Sequence, residues 1–223
     1  MLSRFDDEIR PVITHEAGVL SSTLNESLAS ALSYARTDTR RYPPKKFPHV
    51  MPLVLRCAMR LELEDVALPA GWTLGGDSRL MGQLLLTNED HGIDLRFLKE
   101  RRRTYPGGVP PAGRGPSRTA AWSNRDTPLP NLGRDDLEII AKQRTTILWV
   151  WDLAGSLAEE HPAFTQRFVH TTAPGVYGRA VPCDLSLDLL PTGGIFDRLE
   201  FPGGEADTDF FRVELDETIE DGG

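Results

Sequence analysis

Arg101, Arg102 and Arg103 stand in a row, and Tyr105, Arg114 and Arg118 follow within fifteen residues of Arg103. Guanidinium groups match carboxylate and phosphate oxygens with paired N–H donors, so this residue type at this density points to the binding of anions. From Arg96 to Arg118 the chain carries seven basic side chains against one acidic, Glu100, while from Asp184 to the C-terminus it carries two against twelve. The whole chain has a net charge of −8, which weakens nonspecific binding to nucleic acid. The tract therefore reads first as a docking element for a protein partner through Arg101, Arg102, Arg103, Tyr105, Arg114 and Arg118. Contact with nucleic acid, pairing with the acidic C-terminal third and a merely solubilising loop are the competing readings.

Two further groups could carry catalysis. Gly76-Asp77-Ser78-Arg79-Leu80 resembles the nucleophile block of the SGNH hydrolases, which implies Ser78 as a nucleophile. That family draws its base from a C-terminal Asp-x-x-His. Here Ala158 and Arg167 stand three residues before His161 and His170, so the base is missing. A turn leading into a strand accounts for the motif better. Asp94 and Glu100, with Lys99 beside them, could serve a metal-dependent nuclease. On one strand Asp94 and Glu100 share a face and Lys99 takes the opposite one, and a second carboxylate-bearing strand is lacking. A nuclease or other nucleic-acid-processing enzyme is the alternative; a non-catalytic cytoplasmic interaction or regulatory protein is the leading expectation.

No phosphate loop, dinucleotide fingerprint or His-Glu-x-x-His is present, so no cofactor or metal is expected. Cys57 and Cys183 are far apart and outside any Cys-x-x-Cys, which argues against a disulfide framework. The N-terminus carries acid early and lacks an apolar core, unlike a secretory signal. No apolar run approaches the roughly 18 residues of a membrane span. Trp149 and Trp151 share a strand face and are expected to pack on the helices, a stacking platform for bases being the alternative.

The elements that position these groups follow from periodicity. Ile9, Val12, Ile13, Leu20, Leu24, Leu28, Leu32 and Ala35 recur at three- and four-residue steps, predicting an amphipathic helix within residues 5–36, with Pro11 in its first turn. Residues 51–65 predict a second helix, apolar on most sides and hence central. Strands are expected at 80–87 and 93–101, joined by an Asn-Glu-Asp-His-Gly hairpin, and then in TTILWVWDLA, FTQRFVHTT, CDLSLDLL and FFRVELDE. Residues 104–134, rich in Pro, Gly and Arg, read as a long loop. Helices first and strands afterwards predict a single α+β domain over residues 1–223: a helical part (1–70) packed on a mainly antiparallel sheet (71–223).

Overall fold

The computed structural model describes residues 8–102, 104–124, 144–155, 162–192 and 194–197. In chain order the elements are α1 (Arg10–Thr39), α2 (Val50–Asp65), β1 (Trp72–Gly75), β2 (Leu85–Asn88), β3 (Ile93–Lys99), α3 (Pro116–Ser123), β4 (Thr145–Leu153), β5 (Phe164–Thr171), β6 (Cys183–Leu189) and β7 (Ile195–Asp197). The architecture is α+β. The seven strands form one sheet in sequence order, antiparallel at every pairing except the parallel β3–β4 contact. No described helix is long and apolar enough to cross a membrane.

Pro11 lies in the first turn of α1, where its missing N–H costs nothing. The stripe of Ile13, Leu20, Leu24, Leu28 and Leu32 is buried, and Ala17, Ala31 and Ala35 are buried beside it. This helix lies against β6 and β7, and the Ser21 hydroxyl donates to the Leu190 carbonyl at 2.8 Å. The second helix is not central, contrary to the reading of its composition. Only Met51, Leu55, Met59 and Leu63, one residue in four, are buried, while Cys57 and Leu61 are exposed. It lies along α1, which takes the central place because its buried face includes alanines and serines as well as leucines.

The strand expected from Leu80 begins at Leu85. Asp77 accepts from the Arg79 amide at 2.9 Å, the Gly82 amide donates to the Ser78 carbonyl at 2.9 Å, and Met81 and Gly82 both take positive φ, so residues 77–82 form turns. Gly82 is also pressed on α2: a Cβ there would stand 2.9 Å from the Cys57 sulfur.

Alternation along β3 puts Ile93, Leu95 and Phe97 into the core beneath the helices, together with Trp149, Trp151, Phe168, Leu185 and Leu187. Trp149 and Trp151 lie against Phe97, with ring centroids 4.5 and 6.2 Å away, and are buried, which removes them as a stacking platform. The opposite face carries a second core of Val109, Ala112, Trp122, Leu148, Val150, Val169 and Val181. Parallel neighbours need a crossover of a dozen or more residues, and the chain between β3 and β4 supplies it. Its described part, 104–124, is therefore not a free loop: it holds α3 and covers the sheet. The remainder of the expected loop, 125–134, and the strand expected in FFRVELDE lie outside the described residues, as does the chain beyond Asp197.

Candidate functional site

Strand β3 ends in a buried carboxylate. Glu100 is 1% exposed; it accepts from Arg102 Nε at 2.6 Å and from Arg167 Nε, which rises from β5 on the same face. Arg167 is itself 3% exposed and also donates to the Ser186 hydroxyl at 2.9 Å and to the Gly107 carbonyl. The turn at 105–108 is shaped to meet this knot. Gly108 takes φ +82°, its carbonyl accepts from the Arg101 amide at 2.9 Å, and a Cβ on it would lie 3.0 Å from Glu100 Oε2. Only glycine meets both demands.

Beyond the turn the crossover is fastened by small apolar and aromatic contacts. Tyr105 meets Tyr177 edge to face at 5.7 Å, and the Ala112 amide donates to the Pro174 carbonyl at 2.9 Å. Gly115 and Pro116 start α3, proline being suited to a first helical position. Trp122 is fully buried, its indole N–H donating to the Pro110 carbonyl at 2.9 Å. Asn124, in the left-handed conformation that ends α3, bonds Thr146 through both atoms of its amide.

The sequence-predicted docking residues fall into different environments on this scaffold. Arg101 and Arg114 are exposed and make no side-chain ion pair with a described residue. Arg118 is exposed overall, yet its guanidinium lies 4.9 Å from the centroid of the Trp122 ring, and this partial burial lowers its pKa from the ordinary value. Tyr105 is half-buried and Arg102 is committed to Glu100. Arg103 lies outside the described residues.

The catalytic alternatives are not brought together. Asp94 and Glu100 point to one face of β3 but stand six residues apart, roughly 20 Å at strand rise, so they cannot share one metal ion. Each is already neutralised: Arg144 grips Asp94 with two bonds of 2.9 Å and reaches Glu89 at 2.7 Å, while Glu100 holds Arg102 and Arg167. No group of three or more metal-ligating side chains gathers among the described residues. Ser78 is exposed in the turn after β1, on a segment whose nearest ionic feature is the Asp77–Arg79 pair.

Three arginines that the sequence did not single out together complete the picture. Arg60, Arg79, Arg102, Arg144 and Arg167 all have carboxylate partners. Arg56 of α2 and Arg96 of β3 have none among the described residues; Arg56 donates to the Met81 carbonyl at 3.2 Å, and the Nε of Arg96 is buried without any partner. Burial and the nearby Arg118 guanidinium both lower the Arg96 pKa, and the same two causes act on Arg56. A spacing rule could not have found this group, because its members come from three elements separated by 40 and 22 positions. Arg167 and Arg144, which hold the two carboxylates, were missed for the same reason. No protein family, characterised protein or solved structure matches the chain.

Proposed function

We propose that this chain is a non-catalytic interaction protein, acting in the cytosol, that docks an acidic protein partner through the crossover between β3 and β4. The supporting observation is the contrast along that segment. Its base is anchored by Glu100, Gly108 and Trp122, while Arg101 and Arg114 project from it with no carboxylate partner among the described residues. A basic segment held on a rigid base loses less side-chain and backbone entropy on binding than a free one, so more of each contact survives as affinity. Charge complementarity then sets the association rate and its salt dependence. Arg102 contributes to the anchor and not to the docking face. The exposed Cys57 thiol, outside any disulfide with a described residue, fits a reducing compartment.

The test is cross-linking in the native host with wild-type protein and with Arg101→Ala/Arg114→Ala, followed by quantitative identification of the attached species. Acidic proteins recovered with wild type and lost with the variant, at equal melting temperature, are expected. Recovery of the same set by both, or of nucleic acid in place of protein, overturns the reading.

A further inference from the structure

The connection between β5 and β6, residues 172–182, folds back onto the crossover. Its base is closed by the Thr172 amide donating to the Pro182 carbonyl at 3.0 Å, and the Ala112 amide holds its Pro174 carbonyl. Gly175 takes φ +74°, and a Cβ on it would stand 2.7 Å from the side chain of Val181, which is buried in the second core. Glycine is required at so close an approach. Between these fixed points the Arg179 amide donates to the Val176 carbonyl at 3.1 Å, with Gly178 at φ +81° in the third position of the turn. The turn holds Val176 and Tyr177 out of the protein, 65% and 75% exposed. Tyr177 also meets the Tyr105 ring, so these side chains make one apolar projection and not scattered exposed residues.

The rim of this projection is cationic. A Cβ on Gly107 would lie 3.9 Å from that of Ala180, and the Tyr105 amide donates to the Arg101 carbonyl at 2.8 Å, so the turns at 101–108 and 176–180 share one surface. Residues 101–112 and 172–182 contain Arg101, Arg102, Arg103 and Arg179 and no Asp or Glu. Arg101 and Arg179 are exposed and make no ion pair with a described residue. The carboxylates of the neighbouring strands are engaged elsewhere. Glu100 is buried between Arg102 and Arg167, Asp188 opposes Arg167 in the sheet and buries its Oδ1, and Asp184 bonds the His170 ring.

We infer that Val176 and Tyr177, backed by Tyr105, are the apolar anchor of the docking face, and that this face takes an acidic protein segment carrying a large apolar side chain among its carboxylates. The inference rests on the acidic-partner reading and adds the β5–β6 turn to it. Tyr and Arg are the residue types that dominate binding at interface centres: the apolar pair supplies area to desolvate, and Arg101 and Arg179 select the sign of the charge around it. Because the turn is fixed at both ends, little backbone entropy is lost when a partner covers it. The net charge of −8 favours a protein segment over nucleic acid.

Fluorescence anisotropy tests this on the full chain with two labelled peptides, a Phe-Leu pair flanked by aspartates and its Ser-Ser counterpart. Wild type should prefer the Phe-Leu peptide by at least about fivefold, the worth of one anchor side chain. Val176→Ser/Tyr177→Ser should erase the preference while melting within about 2 °C of wild type, since both side chains are exposed. Arg101→Ala/Arg179→Ala should weaken both peptides, keep the preference and flatten the salt dependence. Equal binding of the two peptides that still falls in Arg101→Ala/Arg179→Ala overturns the anchor alone and leaves the acidic-partner reading in place; binding of neither overturns both. A preference that survives in Val176→Ser/Tyr177→Ser also overturns the anchor. So does tighter binding of an oligothymidylate, or self-association in sedimentation, that the same variant abolishes, because the turn then serves nucleic acid or a second copy of the chain.

Discussion

Replacing Glu100 with Gln keeps the shape of the side chain and removes its charge. The consequence follows from what surrounds it. Arg167, 3% exposed, would remain in the sheet with its Ser186 and Gly107 bonds but would lose the buried carboxylate that accepts from its Nε. Leaving one member of a buried ion pair uncompensated costs about 3–5 kcal/mol. The Arg102 contact adds little to this, because the Arg102 side chain is 43% exposed and exposed pairs contribute about 0–1 kcal/mol. A chain of this size loses about 2–4 °C of melting temperature per kcal/mol, so the variant should melt about 6–20 °C lower. Local opening should precede the global transition, because Arg102 sits beside the knot, and trypsin should cleave at residues 101–102 faster than in wild type. Thermal unfolding followed by tryptophan fluorescence, with timed trypsin digestion, measures both. Glu100→Leu/Arg167→Met/Ser186→Ala, which removes the charges together with the hydroxyl they orient, should recover at least half of the loss. A fall of less than about 2 °C in Glu100→Gln would refute the reasoning, since a pair that can be broken so cheaply does not anchor the crossover.

Trp122→Ala should cost about 3–5 kcal/mol in denaturant unfolding, because it empties the second core and leaves the Pro110 carbonyl without its donor; a loss under 1 kcal/mol, on the same scale, would show that the crossover does not depend on it. Lys99 lies over Trp151, and burial lowers its pKa, so its folded-state pKa is below the unfolded value and the charged form is penalised in the folded state at pH 7. Lys99→Met should therefore melt higher than wild type at pH 7, with the gain fading as pH rises towards the ordinary 10.5; a gain independent of pH would point to packing instead. Turnover of a short-chain aryl ester should not exceed background and should be the same in Ser78→Ala, whereas activity lost in that variant would restore the hydrolase reading. Calorimetric titration with Mn²⁺ should show no micromolar event, and an event abolished by Asp94→Ala would restore the nuclease reading.

Local information was enough for much of this molecule. The apolar stripe from Ile13 to Leu32 and the proline at position 11 define α1, because helical periodicity and the missing proline N–H act within a few residues. The alternation Leu185, Leu187, Leu189 against Asp184, Ser186, Asp188 places the leucines of β6 in the core, but the polar face it leads one to expect in water is covered, Ser186 being buried against Arg167; the same rule puts Asp94 and Arg96 on one face of β3, with Glu100 just past its end. Composition misled where partners come from far along the chain. Leu61 and Cys57 look like core residues in α2, but α1 occupies the central position and leaves them outside. Residues 104–124 look too poor in apolar groups to fold, yet Val109, Ala112 and Trp122 suffice once Leu148, Val150 and Val169 are presented by β4 and β5. The parallel β3–β4 pairing makes that segment a crossover, and no local pattern announces a pairing between strands some fifty positions apart. The same holds for charge. Whether Glu100 is a ligand or a buried anchor depends on Arg167, 67 residues away, and whether Arg96 is paired depends on Arg144 having taken Asp94 first. Residue type determines what a side chain can do; the tertiary structure determines which opposite charge reaches it, because Coulomb interactions and hydrogen bonds depend on distance in space and not on position in the chain.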